Sequence, residues 1–185
     1  PSGISFEPSE DHKMVKDMVK KVADETIRPR AAHYDETREF PWDNFKALAE
    51  LGLMGVTVPE EYGGAGMDTL AYVSVIEELS RACASTGVIT AVQNSLGEYP
   101  ILKFGTEEQK KKYLPLMASG EKVAAYALTE AGSGSDAAGM KTTCRLEGDH
   151  WVLNGSKNWI TNSTAAELFI VYATKDPAMG HKGIC

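Results

Sequence analysis

Ala127-Leu-Thr-Glu130-Ala-Gly-Ser-Gly134-Ser135-Asp136-Ala-Ala-Gly139 is the stretch on which the fold turns. By letters alone, Gly132-Ser-Gly134-Ser-Asp-Ala137 fits G-x-G-x-x-A, the dinucleotide fingerprint, directly after an apolar run. That fingerprint works only where a helix follows, because the helix N-terminus faces the pyrophosphate. Instead Gly139 comes at once, then the threonine-rich segment 141–147 and a Gly148-Asp149 turn. A helix has no room, so the doubly wound reading fails. Small residues and free amides at a strand end still suit an anion-binding nest for a phosphate.

Outward from this loop the two directions differ. Toward the C-terminus, residues 123–129 are a short apolar run, and 141–147 with 151–153 flank the Gly148-Asp149 turn as a hairpin. Residues 159–161 and 168–174 are two further strand candidates. Five short strands with close turns and no intervening helix predict an antiparallel sheet or barrel.

Toward the N-terminus the spacing is helical. Met14, Val15, Met18, Val19, Val22 and Ala23 recur at three- and four-residue steps over 11–28, and Pro29 is expected to close that helix. Asp43 is expected to cap a short helix that Gly52 ends, and the glycine-rich stretch 59–66 reads as a loop. Residues 69–84 return to helical spacing, and 86–96 follow as a further helix. Thr106-Glu-Glu-Gln109 is a capping box for a last helix, which Pro115 is expected to break or shorten. The fold class is therefore α+β. An N-terminal all-α helical domain over residues 1–121 precedes an antiparallel β-barrel or sheet domain over 122–185, truncated just inside a strand at Cys185.

The chain has 185 residues, 43 % hydrophobic and 24 % charged, which argues for a globular and against a disordered chain. With 19 Lys+Arg against 26 Asp+Glu the net charge is −7, which argues against a nucleic-acid surface. Cys83, Cys144 and Cys185 form no C-x-x-C, so neither a disulfide framework nor a zinc site is expected, and a reducing compartment is. His12, His33, His150 and His181 share no spacing with one another or with acids, and no metal or base is assigned to them. The stretch 1–20 lacks an apolar signal core, and no run approaches a membrane span.

The segment 127–139 resembles the first signature of the flavin-dependent acyl-CoA dehydrogenase family. Asn154-Gly-Ser-Lys-Asn-Trp159-Ile-Thr161-Asn162 is similar to the family's second flavin segment, at the expected separation. Pro59-Glu-Glu-Tyr-Gly-Gly, Asn94-Ser-Leu and Phe104-Gly-Thr-Glu-Glu-Gln-Lys match further landmarks in the right order. The resemblance covers essentially the whole chain.

What the resemblance implies is an FAD site. The backbone of Tyr126, Ala127, Leu128 and Thr129 would meet the pyrimidine end of the flavin, with the Thr129 hydroxyl adding a hydrogen bond. Gly134 and Ser135 would lie near the pyrophosphate, and Ser135 would also touch the CoA portion of the substrate. Trp159 would pack against the isoalloxazine beside Ile160, and the Thr161 hydroxyl would approach flavin N5. Gln93, Asn94, Glu98 and Tyr99 are candidates for the acyl pocket, Tyr99 as a substrate contact. Without the resemblance, Trp159 and Thr161 read as alternating core positions of a strand. Glu98 reads as a solvated helix-end carboxylate, and Glu130 as a loop-ordering acceptor.

The implied reaction is α,β-dehydrogenation of an acyl-CoA thioester to the 2-enoyl-CoA, with hydride to flavin N5 and electrons onward to an electron-transfer flavoprotein. The family's base belongs to a C-terminal helical domain, so no catalytic residue is expected in this chain, and a homotetramer is expected. An acyl-CoA oxidase using oxygen, or a non-catalytic scaffold with the same fold, are the alternatives. The implied compartment is the cytoplasm or the mitochondrial matrix.

Overall fold

The computed structural model describes residues 7–185; part of the N-terminal stretch read above, residues 1–6, lies outside them. Helix α1, Glu10–Val22, opens on a capping box in which the Ser9 side chain accepts from the His12 N–H. The helical path does not close at Pro29. It widens into a π-turn at Ala23–Ile27, tightens into a 3₁₀ turn at Arg28–Arg30 and continues as α2, Ala31–Thr37. Pro29 lies at the start of the 3₁₀ turn, a position its fixed φ suits. The path ends at Arg38, whose φ of 60° is left-handed.

Helix α3, Trp42–Glu50, begins one residue before Asp43, so this carboxylate complements the first-turn dipole and does not cap. Helix α4, Thr69–Ala82, is capped by Asp68, which accepts from the Ala71 N–H. Helix α5, Ala84–Ala91, passes into a π-helical stretch, Val92–Glu98, and then α6, Tyr99–Phe104. Helix α7, Glu107–Ala118, carries the capping box of Thr106 and Gln109 and runs unbroken past Pro115. Val19, Ala23 and Ile27 meet Phe45, Leu48, Ala71, Val75 and Leu79 in one buried core. Burying the larger of these side chains contributes roughly 1.5–3 kcal/mol each, enough to hold α1, α3 and α4 as one body.

The sheet region is smaller. Strands β2, Thr143–Glu147, and β3, His150–Asn154, form the expected antiparallel hairpin. Gly148, at φ +64°, takes its first turn position. Strand β1, Ala124–Ala127, pairs with β4, Leu168–Val171, and this pair is parallel. Isolated bridges from Thr174 to Thr143 and to Ile184 join the two pairs. The α+β class stands, but its sheet is mixed because the β2–β3 hairpin lies inside the connection from β1 to β4.

Residues 159–161 are not a strand. Trp159 and Asn162 take left-handed φ values of 58° and 67°. The Asn158 N–H donates to the Thr129 carbonyl and Asn162 Nδ2 to the Ala124 carbonyl, bonds that replace a ladder with a tight loop. Among the described residues no helix is long and apolar enough to cross a membrane, and no cluster of three metal-ligating side chains occurs. The thiols of Cys144 and Cys185 are free, with Sγ atoms 2.9 Å apart.

The sheet rests directly on the helical domain. Gln93 Nε2 donates to the carbonyls of Met117 and Lys122, and its Oε1 accepts from the Ala124 N–H. A Cβ on Gly97 would come within 2.5 Å of the Ala124 Cβ, so only glycine lets the π-helical stretch approach β1 this closely.

Candidate functional site at the end of strand β1

Where β1 ends, the chain has used its acceptors and kept its donors. The Ala127 carbonyl accepts from the Tyr172 N–H, the Leu128 carbonyl from Lys157 Nζ at 2.9 Å, and the Thr129 carbonyl from the Asn158 N–H. Among the described residues, the N–H groups of Leu128 and Thr129 meet no acceptor. Unpaired backbone donors are rare in the absence of a partner. Two in succession make an edge suited to a ligand that presents acceptors.

These donors border a cavity of about 260 Å³ lined by Val92, Leu96, Tyr126, Leu128, Thr129, Trp159, Ile160 and Thr161. Its walls therefore come from three places: the π-helical stretch, the end of β1 and the loop after β3. Trp159 is 92 % exposed although its left-handed backbone is one that bulky residues rarely adopt. Such strain persists where the surroundings over-determine it, as at ligand clamps. Tyr126 stacks at a tilt on Tyr172, with ring centroids 5.0 Å apart. Burial and the Tyr172 hydrogen bond push its phenol up to about 12, so it is a neutral donor at physiological pH.

The two loops are joined by a desolvated ion pair. Lys157 Nζ lies 2.8 Å from Glu130 Oε1, with side chains only 10 % and 8 % exposed. Glu130 also accepts from the N–H groups of Lys141 and Thr142, as a loop-ordering acceptor does. Burial works against its charge, but the Lys157 and backbone hydrogen bonds outweigh it and hold the carboxyl at about 2.

Seven of the residues singled out in the sequence thus bear on one place: Tyr126, Leu128, Thr129, Trp159, Ile160 and Thr161 line the cavity, and Ala127 fixes the edge beside it. Gly134 and Ser135 do not join them. They lie exposed just beyond the turn that reciprocal backbone bonds between Glu130 and Ser133 close. Tyr99 lines a different cavity, of about 470 Å³, with Thr57, Met67, Tyr72 and Asn94. The carboxylate of Glu98 is not solvated. It is completely buried, neither oxygen has a partner, and burial pushes it well above the usual carboxylate range. Glu98 ends the π-helical stretch Val92–Glu98.

Lys157, Asn158 and Asn162 complete the site, and sequence reasoning assigned them nothing. Lys157 meets a partner 27 positions away, so no local spacing reveals the pair. An asparagine before Ser-Thr is a weak signal for a left-handed turn, and Asn162 is such a residue.

Fold and site together define an α+β protein in which a helical domain carries a small mixed sheet, with a donor-rich cavity at the sheet's end. Residues 9–121 match the family model of the acyl-CoA dehydrogenase N-terminal domain, and residues 125–185 match that of the middle domain. The chain belongs to the acyl-CoA dehydrogenase family. It is 45 % identical to a short-chain specific acyl-CoA dehydrogenase of Clostridium acetobutylicum, over 98 % of this chain and 48 % of that protein. It is 48 % identical to the mitochondrial short-chain specific acyl-CoA dehydrogenase of Homo sapiens, over 97 % of this chain and 44 % of that protein. The butyryl-CoA dehydrogenase of Megasphaera elsdenii superposes with a TM-score of 0.91 at 32 % identity, covering 98 % of this chain and 48 % of that one. An acyl-CoA dehydrogenase of Bacillus anthracis complexed with FAD gives 0.86 at 47 % identity, covering 93 % and 30 %. The chain spans about half the length of the curated relatives it matches.

Proposed function

We propose that this chain forms the FAD-facing part of an acyl-CoA dehydrogenase acting on short acyl-CoA thioesters, α,β-dehydrogenating them to 2-enoyl-CoA. The names of the curated relatives favour the short-chain class. The observation that carries the reading is the pair of free amides at Leu128 and Thr129 beside an exposed, strained Trp159. These residues suit FAD. Two adjacent donors match the acceptor edge of the flavin pyrimidine, and an indole offers a flat face that excludes water from a ring. A space of about 260 Å³ is below the roughly 300–1,000 Å³ usual for a whole ligand, and it suits one edge of a ring system.

The roles proposed are those that the family resemblance implies. The N–H groups of Leu128 and Thr129 hold the pyrimidine end, with Tyr126 and Ala127 shaping the strand behind them. The Thr129 hydroxyl adds a donor there. Trp159 and Ile160 cover the isoalloxazine, and the Thr161 hydroxyl donates toward N5. Gly134 and Ser135 approach the pyrophosphate, and Ser135 also contacts CoA. Tyr99 lies on the substrate side. When bound, FAD supplies the acceptor for the hydride that leaves the substrate Cβ. Donors aimed at the flavin edge favour the charge that develops there on reduction. We assign removal of the α-proton to no residue of this chain. We further assign residues 1–121 and 122–185 to two domains, a homotetramer as the assembly, an electron-transfer flavoprotein as the electron acceptor, and a reducing compartment.

The test is the visible spectrum of the full-length protein. A bound flavin that bleaches on adding butyryl-CoA under anaerobic conditions is the expected result. A flavin left unbleached by every acyl-CoA tried would sink the dehydrogenase reading, and rapid reoxidation by oxygen would mark an oxidase.

A further inference from the structure

The Glu130–Lys157 pair has no part in the contacts proposed above, yet it occupies the space directly behind them. A peptide unit is planar and trans, so the direction of its N–H is fixed by whatever holds its carbonyl. The Thr129 N–H shares a peptide plane with the Leu128 carbonyl, and that carbonyl accepts from Lys157 Nζ at 2.9 Å. Lys157 is in turn held by Glu130 Oε1 at 2.8 Å, and Glu130 is anchored by the N–H groups of Lys141 and Thr142 at 2.6 and 2.9 Å. The carboxylate is thus pinned to the chain leading into β2, the ammonium stands on the loop after β3, and the carbonyl ends β1. The three meet, and the two side chains among them are no more than 10 % exposed.

We infer that Lys157 is a positioning residue for the flavin edge, aiming the Thr129 N–H from behind, and that Glu130 holds Lys157 in place to do so. A cation on the carbonyl also polarises the peptide, which makes the N–H on its far side a stronger donor. The neighbouring Leu128 N–H is aimed in the same way by a neutral partner, the Tyr172 N–H on the Ala127 carbonyl. The two donors of the edge therefore differ in strength, and the stronger one depends on a buried charge.

The inference rests on the flavin reading, and the experiment separates the two. Full-length wild type, Lys157→Met and Lys157→Arg are prepared as apoprotein, and FAD is titrated while flavin fluorescence, visible spectrum and thermal midpoint are followed. Lys157→Met keeps the length and apolar stem of the side chain but cannot donate. Its expected signature is a Kd for FAD raised at least tenfold and a shifted flavin absorption band, with an apoprotein that still unfolds cooperatively. Lys157→Arg, which retains charge and donors, is expected to recover most of the affinity. An unchanged Kd in Lys157→Met overturns the positioning role while leaving the flavin site standing. Equal loss in Lys157→Met and Lys157→Arg, or failure of both to fold, also overturns it, because the pair then serves the fold as a whole. A wild type that binds no FAD sinks the flavin reading and this inference together.

Discussion

Trp159 is the residue where local preference and native structure disagree most. Its backbone is left-handed at φ 58° and its ring is 92 % exposed, so neither propensity nor burial explains the position. The alternation of Trp159 and Thr161 suggests a strand. A loop forms instead because Asn158 and Asn162 bond back to Thr129 and Ala124, which no pattern within residues 155–165 reveals. Trp159→Gly relieves strain of roughly 1–3 kcal/mol while deleting the aromatic face. The apoprotein is expected to melt at the same temperature or higher, with FAD affinity at least tenfold weaker. A calorimetric melt and a flavin titration check both, and unchanged affinity would contradict a ring-covering role. Glu98 carries the opposite lesson, since its letter reads as surface and the residue is fully buried without a partner. Its raised folded pKa means stability is complete below the unfolded value and falls as pH rises above it. Glu98→Leu is therefore expected to stabilise the protein at neutral pH, by about 1–3 kcal/mol, and by progressively less toward pH 4. Thermal midpoints of both proteins across that range would show the gap closing, and a gap independent of pH would refute it.

The elements most legible in the sequence were those with their own punctuation. The capping box at Thr106 and the Gly148-Asp149 hairpin needed only nearby residues, and both formed. The π-turns at 23–27 and 92–98 did not announce themselves, because a helical hydrophobic spacing tolerates one extra residue per turn without a visible break. The second of these carries the site, since it brings Val92 and Leu96 to the cavity and Gly97 against β1. Gly97→Ala puts a methyl 2.5 Å from the Ala124 Cβ, between two elements with no room to part. Overpacking of this kind costs about 1–3 kcal/mol. We expect a lower denaturant midpoint for Gly97→Ala and, because β1 is pushed away, weaker FAD binding as well. Loss of stability with full flavin affinity would show that the cavity does not depend on this contact.

At the scale of the whole molecule, the α+β division was readable from the change in periodicity near residue 121, but the parallel pairing of β1 with β4 was not. That pairing depends on the Glu167 and Leu168 N–H groups reaching the Val123 carbonyl across a long connection. Its consequence is functional, since both loops of the site lie within that one connection and need a tie across it. The Glu130–Lys157 pair is that tie, joining the end of β1, the chain leading into β2 and the loop after β3 through two nearly buried side chains. A folded pKa of about 2, against 4.5 for a free glutamate, makes the carboxylate's contribution complete above pH 4.5 and lost as pH falls toward 2. At about 1.4 kcal/mol for each tenfold change in proton affinity, roughly 3 kcal/mol of stability depends on this one proton. Acid should therefore loosen the sheet region before the apolar cluster that joins α1, α3 and α4. Following backbone amide NMR signals from pH 6 to 2, those of β1–β4 in the wild type are expected to lose dispersion ahead of those of α1, α3 and α4. Glu130→Gln, with no proton to take up, starts less stable and changes less over the same interval. Parallel acid profiles for the two proteins would mean that the tie is held by its hydrogen bonds and not by its charge.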